Sequence, residues 1–560
     1  DDLMIIAALN GLTNKGLKSV SNSTIGQKLR TKQVVKKHNL QTNILSYMDT
    51  IDLMDVAPGS GSLKVYSGRV HTKQMQDLPF DPSITLNQDQ VAILKWYCLC
   101  NDLNSTTDLY NALDQQLSLR IKMGRQFSSD LRSLSDPQIA EKVLSLEIKK
   151  ITGFWPQRVD FSVANNSINY DSPKFLDFNS NLLKWVHNEI NSATYQPDDA
   201  GKLKMLEHPK GIKFTIAGTD YKVGIGGLHS VEKSTHISAG RDYILKDVDV
   251  ESYYPAIILT QGLYPYHIGP AFLTAYRTIV NARLRAKAAI KQALNEGNLT
   301  ESEKQQVISD SLKIVINSSF GKFGSIWSVL YAPKLLLQTT LTGQLSLLML
   351  IERLELAGIS IASANTDGIV IKCHKSMEHT MNSIVSQWES DIDFKTEETV
   401  YTDLWCRDVN NYIALKPNGS TKIRGVYRNP GLSKNPTNQI CVQAVTEFIT
   451  KGIPIEETVH NCTDITEFVS IKKVNGGAVK IWSNDDGTER TEFLGGVVRW
   501  YYAKDEKRPI IYALKGNKVG RSDGAKPLMR LSEGIPNDLD YEWYIEESEQ
   551  ILINIGAKAA

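Results

Sequence analysis

The chain has 560 residues, a formal net charge of +1, 41% hydrophobic and 22% charged side chains. That length exceeds what one hydrophobic core serves, so about two to four domains are expected, and the balance of residue types excludes a disordered or low-complexity chain. No apolar run approaches the roughly 18 residues of a membrane span, and the start, Asp1-Asp2-Leu3-Met4, has no basic leader, so a cytoplasmic location without membrane contact is expected.

The first 140 residues contain no glutamate; Glu141 is the first. Cys98 and Cys100 form a Cys-x-Cys pair with no second cluster, which reads as reduced thiols rather than zinc ligands. Residues 53–90, with Pro58-Gly59-Ser60-Gly61, Pro79 and Pro82, read as loops between short elements, and 102–119 has helical spacing.

From Ile212 onward short strand-like pieces alternate with glycine, including Gly224-Ile225-Gly226-Gly227. Tyr243 to Val250 is a strand candidate that ends at the turn Ser252-Tyr253-Tyr254-Pro255. Two long helices are predicted next, about 272–294 and about 300–320, the second opened by Thr300 with Glu303 in a capping-box pattern. Their short connection makes them antiparallel. Another helix over 341–356 leads into two strands around Asn365-Thr366-Asp367-Gly368, a strong hairpin signal.

Singly, Asp249 at a strand end and Asp367 at a hairpin tip are ordinary turn or cap residues. The helices between them change that reading. Arg283 and Lys287 share one helix face at i and i+4, and Lys313, Asn317 and Gly321 repeat the spacing on the next helix. A nucleoside triphosphate calls for an arginine fork, point-charge lysines and metal ions. Asp249 and Asp367, brought together, would hold two Mg²⁺ (Mn²⁺ being an alternative) about 3.5–4 Å apart.

These residues resemble the family B DNA polymerases, especially those of phages and other viruses. Asp249-Val250-Glu251-Ser252-Tyr253-Tyr254-Pro255 is similar to motif A, Lys313 to Gly321 to motif B, Asn365-Thr366-Asp367-Gly368 to motif C, and Gly224 to Gly227 to the Tyr-x-Gly-Gly element. The resemblance implies an α+β right-hand polymerase: an antiparallel palm sheet, helical-hairpin fingers and a thumb, preceded by part of an RNase H-like α/β exonuclease domain. The implied division is 1–125 exonuclease-like, 126–210 connecting helical region, 211–262 and 326–428 palm, 263–325 fingers, and 429–560 thumb and C-terminal region. Template-directed addition of dNMP from dNTPs to a primer 3′-hydroxyl is the implied activity, with release of pyrophosphate, in viral replication.

By the same resemblance, Asp249 and Asp367 are catalytic and ligate metal with the backbone of Val250. Ser252, Tyr253, Tyr254, Arg283, Lys287, Lys313 and Asn317 meet the dNTP, with Tyr254 excluding a 2′-hydroxyl. Gly226, Gly227, Gly321, Tyr412, Lys422 and Arg424 meet the DNA, mainly through phosphate. Primed template DNA, dNTPs and viral accessory proteins are the implied partners of a monomer in the host cytoplasm.

Three features depart from the family pattern. Asn365 replaces the first aspartate of motif C, and Asn410 replaces the lysine of Lys-x-Tyr. Asp1, Tyr97 and Asp102 resemble the later exonuclease motifs, with one residue too many between Tyr97 and Asp102. The Asp-x-Glu pair cannot occur before Glu141, so the chain reads as truncated within a vestigial exonuclease. Two other readings stay open at this point: an RNA-synthesising or reverse-transcribing polymerase, and a weak or inactive polymerase-like protein that binds primed DNA.

Overall fold

The computed structural model describes residues 2–29, 31–43, 49–80, 84–159, 167–483 and 487–558. It divides into two compact units, Asp1–Asp52 and Leu53–Ala560. The smaller unit has helices Asp2–Leu9, Asn14–Ser21 and Thr31–Lys37 and a π-helical turn, Asn22–Gly26. Ile6, Ala7, Val20, Val34 and Leu40 form its core.

The α/β exonuclease-like expectation for 1–125 is not met. Among the described residues no strand precedes Tyr195, and 88–127 is a succession of helices. The local reason is helical chemistry: the Gln88–Tyr97 helix opens with a capping box in which Asn87 accepts from the Gln90 N–H and Gln90 returns the bond. The Leu63–Arg69 helix packs on the C-terminal part of the chain, where Val65 and Met75 join Ile471 and Val497 in one apolar cluster. Fully buried Arg499 donates to the carbonyls of Leu528 and Thr72 at 2.8 and 2.9 Å.

A small hairpin of β1 (Tyr195–Pro197) and β2 (Leu203–Met205) precedes the main sheet. The following strands are β3 (Ile212–Ile216), β4 (Thr219–Val223), β5 (His229–Ser230), β6 (Thr235–Ser238) and β7 (Tyr243–Val250). After the long helices come β8 (Ser360–Asn365), β9 (Gly368–His374), β10 (Thr396–Tyr401), β11 (Asp403–Asp408), β12 (Asn411–Leu415) and β13 (Thr421–Ile423). One seven-stranded sheet has the order β10-β7-β9-β8-β5-β4-β3, and a four-stranded sheet the order β13-β12-β11-β6. Every pairing is antiparallel, so the α+β expectation with an antiparallel central sheet holds.

The Pro333–Leu356 helix is the core of this region. It is long and apolar enough to cross a membrane, but 94% of its most apolar window is buried in the fold. Leu341, Leu345 and Leu348 are fully buried, each contributing about 1.5–3 kcal/mol by leaving water. Its polar groups hold neighbours in place: the Glu352 carboxylate accepts from the N–H groups of Asn179 and Ser180 at 2.8 and 2.7 Å, and the backbone carbonyl of Ser346 accepts from the Trp388 indole at 2.9 Å.

Helices Ala271–Asn295 and Leu299–Lys322 form the expected antiparallel hairpin. Its cap differs from the expectation: Asn298, not Thr300, accepts from the Glu301 N–H at 3.1 Å. Asparagine is the better cap, and Gly297 takes the positive φ that ends the first helix. The Asp136–Thr152 helix braces the hairpin through Ile139, Val143 and Leu144 against Ile279, Leu312 and Val315. Glu141 pairs with Lys322 at 2.9 Å and accepts from Ser328 at 2.9 Å.

Further along are β14 (Ser470–Ser483), β15 (Glu489–Tyr502), β16 (Ile511–Tyr512) and β17 (Ala525–Pro527), in the order β16-β14-β15-β17. Trp500, Tyr501, Tyr502 and Tyr544 are buried in its core, so these aromatics pack the fold.

Candidate active site

Asp249 is the penultimate residue of β7, and Asp367 lies in the two-residue loop between β8 and β9. The register pairs Asp249 with Gly368, and the Val250 N–H donates to the Asp367 carbonyl at 2.8 Å. Two aspartates 118 positions apart in sequence thereby meet at one end of the sheet. Gly368 is required there, because a Cβ would collide with Asp249 Oδ1 and with the Val248 carbonyl. A second glycine contact seats the loop: a Cβ on Gly227 would overlap the Thr366 side chain, and the Thr366 backbone N–H donates to the Leu228 carbonyl at 2.8 Å.

The two carboxylates open on a cavity of about 330 Å³, lined also by Asp247, Asn365, Tyr412, Lys422 and Arg424. Burial, then the charge of Asp249, raises the proton affinity of Asp367 above the ordinary carboxylate value. Asp247 is raised for the same two reasons, with Lys422 opposing. Lys422 Nζ lies 2.7 Å from Asp247 Oδ2 and 3.1 Å from Asp249 Oδ2. Burial by itself would lower the lysine's proton affinity, but Asp247, Tyr412 and Asp249 carry it above the usual range.

The sequence reading missed Asp247. In a strand, positions i and i+2 share a face, so Lys246-Asp247-Val248-Asp249 already placed two carboxylates together. Lys422, expected to contact DNA, lies among the carboxylates. Residues on adjacent strands carry the companion groups: Arg424 donates its N–H to the Tyr412 carbonyl at 3.0 Å, and Ala414 of β12 pairs with Lys422 of β13.

Among the described residues no group of three or more His, Cys, Asp or Glu could hold a metal ion. The donor set nevertheless fits Mg²⁺, which binds proteins through one or two carboxylates and takes its other ligands from water and substrate phosphates. Asp249 and Asp367 supply hard oxygens and repel each other, with no thiolate or imidazole in the cavity lining. Asn365 keeps its amide oxygen as an acceptor for the Thr366 hydroxyl at 3.2 Å.

The turn after β7 uses Ser252 in the left-handed region, φ 52°, and starts the Tyr253–Thr260 helix. Arg283 Nη1 reaches Ser252 Oγ at 3.5 Å, while its Nε is buried with no hydrogen-bond partner among the described residues. Lys287 Nζ pairs with Glu251 at 3.1 Å and Glu397 at 3.4 Å. Lys313, Asn317 and Gly321 are exposed along one face of their helix, and a Cβ on Gly321 would meet nothing within 4 Å. Tyr254 stacks on Phe320 with centroids 4.2 Å apart; burial and then Asp367 push its hydroxyl up to about 12. Tyr253 is buried, its hydroxyl on the Gly343 carbonyl. The Tyr253 side chain thus packs the core, which leaves open the contact expected of its backbone amide with the triphosphate. Gly224 and Gly226 are gripped by Gln344, whose Nε2 donates to their carbonyls at 2.8 and 2.9 Å.

Away from this cavity, Tyr97 and Asp102 do come together. The π-helical turn Cys98–Leu103 absorbs the extra residue between them. Lys64 Nζ donates to both, 2.5 Å from the Tyr97 hydroxyl and 3.0 Å from Asp102 Oδ1. Asp1 lies outside the described residues.

No protein-family model and no curated protein matches this chain. Among solved structures it is distantly similar to the family B DNA polymerase of the hyperthermophilic archaeon Pyrobaculum calidifontis, with 13% identity and a TM-score of 0.41. The match covers 85% of this chain and 57% of that polymerase.

Proposed function

We propose that the chain is a DNA-directed DNA polymerase whose nucleotidyl transfer centres on Asp249 and Asp367. The observation that carries this reading is their convergence at the ends of paired strands, beside a helical hairpin bearing Arg283, Lys287, Lys313 and Asn317. The motifs quoted above support it independently, as does the fit of the donor set to Mg²⁺.

Two bound Mg²⁺ ions would activate the primer hydroxyl and offset charge on the leaving pyrophosphate. Asp249 and Asp367 would hold them, completed by the backbone of Val250. Ser252, Arg283, Lys287 and Lys313 would orient the triphosphate, with Lys287 exchanging its pairs to Glu251 and Glu397 for phosphate oxygens. Asn317 and Gly321 would border the new base pair, and Tyr254, backed by Phe320, would close the space a 2′-hydroxyl needs. The primer 3′-oxygen bonds to the α-phosphorus, the α–β bridging bond breaks, pyrophosphate leaves, and the hydroxyl proton passes to solvent. Gly226, Gly227, Tyr412 and Arg424 are proposed contacts to the primed template. A viral role in the host cytoplasm rests on the motif resemblance alone.

Proofreading is not part of the proposal. The test is extension of a primed template with Mg²⁺ and either dNTPs or rNTPs. Extension with dNTPs alone supports the reading; equal use of both favours the RNA-synthesising alternative, and DNA binding without extension favours the inactive one.

A further inference from the structure

Asp247 stands in the cavity where neither the motifs nor the proposed ligand set has a use for it. Only 4% exposed, it accepts at Oδ2 from both Lys422 and the Tyr401 hydroxyl. Lys422 bridges it to Asp249, whose side chain is 41% exposed against 6% for Asp247. One ammonium is thus shared between a deep carboxylate and a shallow one.

We propose that Lys422 is a built-in counter-ion: it neutralises Asp249 while that carboxylate has no metal and withdraws onto Asp247 when a divalent cation arrives. This rests on the metal-dependent reading of Asp249 and Asp367. A cation and an ammonium compete for the same carboxylate oxygens, and a buried carboxylate left without a partner is strongly destabilising. Asp247 resolves both demands. It gives the ammonium a fixed, hydrogen-bonded post, so Lys422 can leave Asp249 without becoming a buried unpaired cation. Once Lys422 rests there, the Asp247–Lys422 couple is neutral, and Asp249 and Asp367 keep their negative charge for metal. A lysine suits the task, since its ammonium is a compact charge on a flexible stem. Asp247 is accordingly a positioning residue, acting through Lys422.

Crystals of the full chain soaked with Mn²⁺ alone test this, with metal located by anomalous scattering. The expected result is Mn²⁺ on Asp249 and Asp367, with Lys422 Nζ out of hydrogen-bond range of Asp249 and still bonded to Asp247. Mn²⁺ bound with Lys422 still on Asp249, or with Asp247 as a ligand, overturns the inference and leaves the polymerase reading intact. No Mn²⁺ at Asp249 and Asp367 overturns both. In solution, Mn²⁺ titration followed by electron paramagnetic resonance should show K422M binding about tenfold tighter and D247N about tenfold weaker than the parent chain. Should D247N fail to fold, K422M decides alone, and unchanged or weaker binding by K422M counts against the inference.

Discussion

The backbone N–H of Val250 donates to the carbonyl oxygen of Asp367 at 2.8 Å, tying the hairpin loop to the strand that presents Asp249. Neither carboxylate has to search for the other. Both are held by paired backbone, as the proposed two-metal chemistry would require of its ligands.

Gly368 faces Asp249 with no room for a side chain. Gly368→Ala is expected to cost about 1–3 kcal/mol of stability, as overpacking does, and to reduce extension more than stability explains. Chemical denaturation and single-turnover extension measure the two effects separately. Unaltered extension would remove the close packing of Gly368 from the account.

Tyr254 leans on Phe320 beside Asp367. Replacing it by valine should raise ribonucleotide incorporation about tenfold or more, whereas Tyr254→Phe, which keeps the ring, should retain the parent selectivity. Competition between a dNTP and the matching rNTP on one template measures this. Parent selectivity in the valine variant would assign Tyr254 to the core instead.

Lys287 is held by Glu251 and Glu397, groups that would yield to a triphosphate. Lys287→Ala should raise KM for dNTPs about tenfold with a smaller change in kcat, the pattern of lost binding. Folding stability should move by under about 1 kcal/mol, because these pairs are substantially exposed. A change confined to kcat would place Lys287 in the transition state.

Asp367 has a raised proton affinity through burial and through Asp249. It must be ionised to hold metal, so extension should fail on acidification from a pH above the usual carboxylate range, and more Mg²⁺ should move that limb to lower pH. The stability effect has the opposite sense. A carboxylate that binds its proton more tightly when folded costs stability as pH rises from its unfolded to its folded value. Metal-free Asp367→Asn should therefore melt at a higher temperature than the parent at neutral pH, while losing activity. Calorimetry without divalent ions checks this; a lower Tm would contradict the electrostatic reading.

Much of the site was legible because its parts are local. Helical periodicity marked Ala271–Asn295 and Leu299–Lys322, and Asp-Gly between apolar runs marked the β8–β9 hairpin. What escaped depends on distant partners. Asp247 takes its meaning from Lys422, 175 positions away, and the Leu63–Arg69 helix takes its place from Ile471 and Val497. Tyr97 and Asp102 looked misaligned because they stand one residue further apart than in the family motif; the π-helical turn Cys98–Leu103 takes up that residue. The N-terminal stretch was misread because family order was extended to residues whose own pattern is helical.

In the proposed mechanism Asp249 and Asp367 act as one metal-holding pair. Single-turnover extension of a primed template in Mg²⁺ by Asp249→Asn, Asp367→Asn and the double variant tests it most directly. Each single change should reduce the rate by at least about a thousandfold, and the double variant should be no slower than the singles, as for residues that act as a unit. Extension within about tenfold of the parent chain by either single variant would contradict the account.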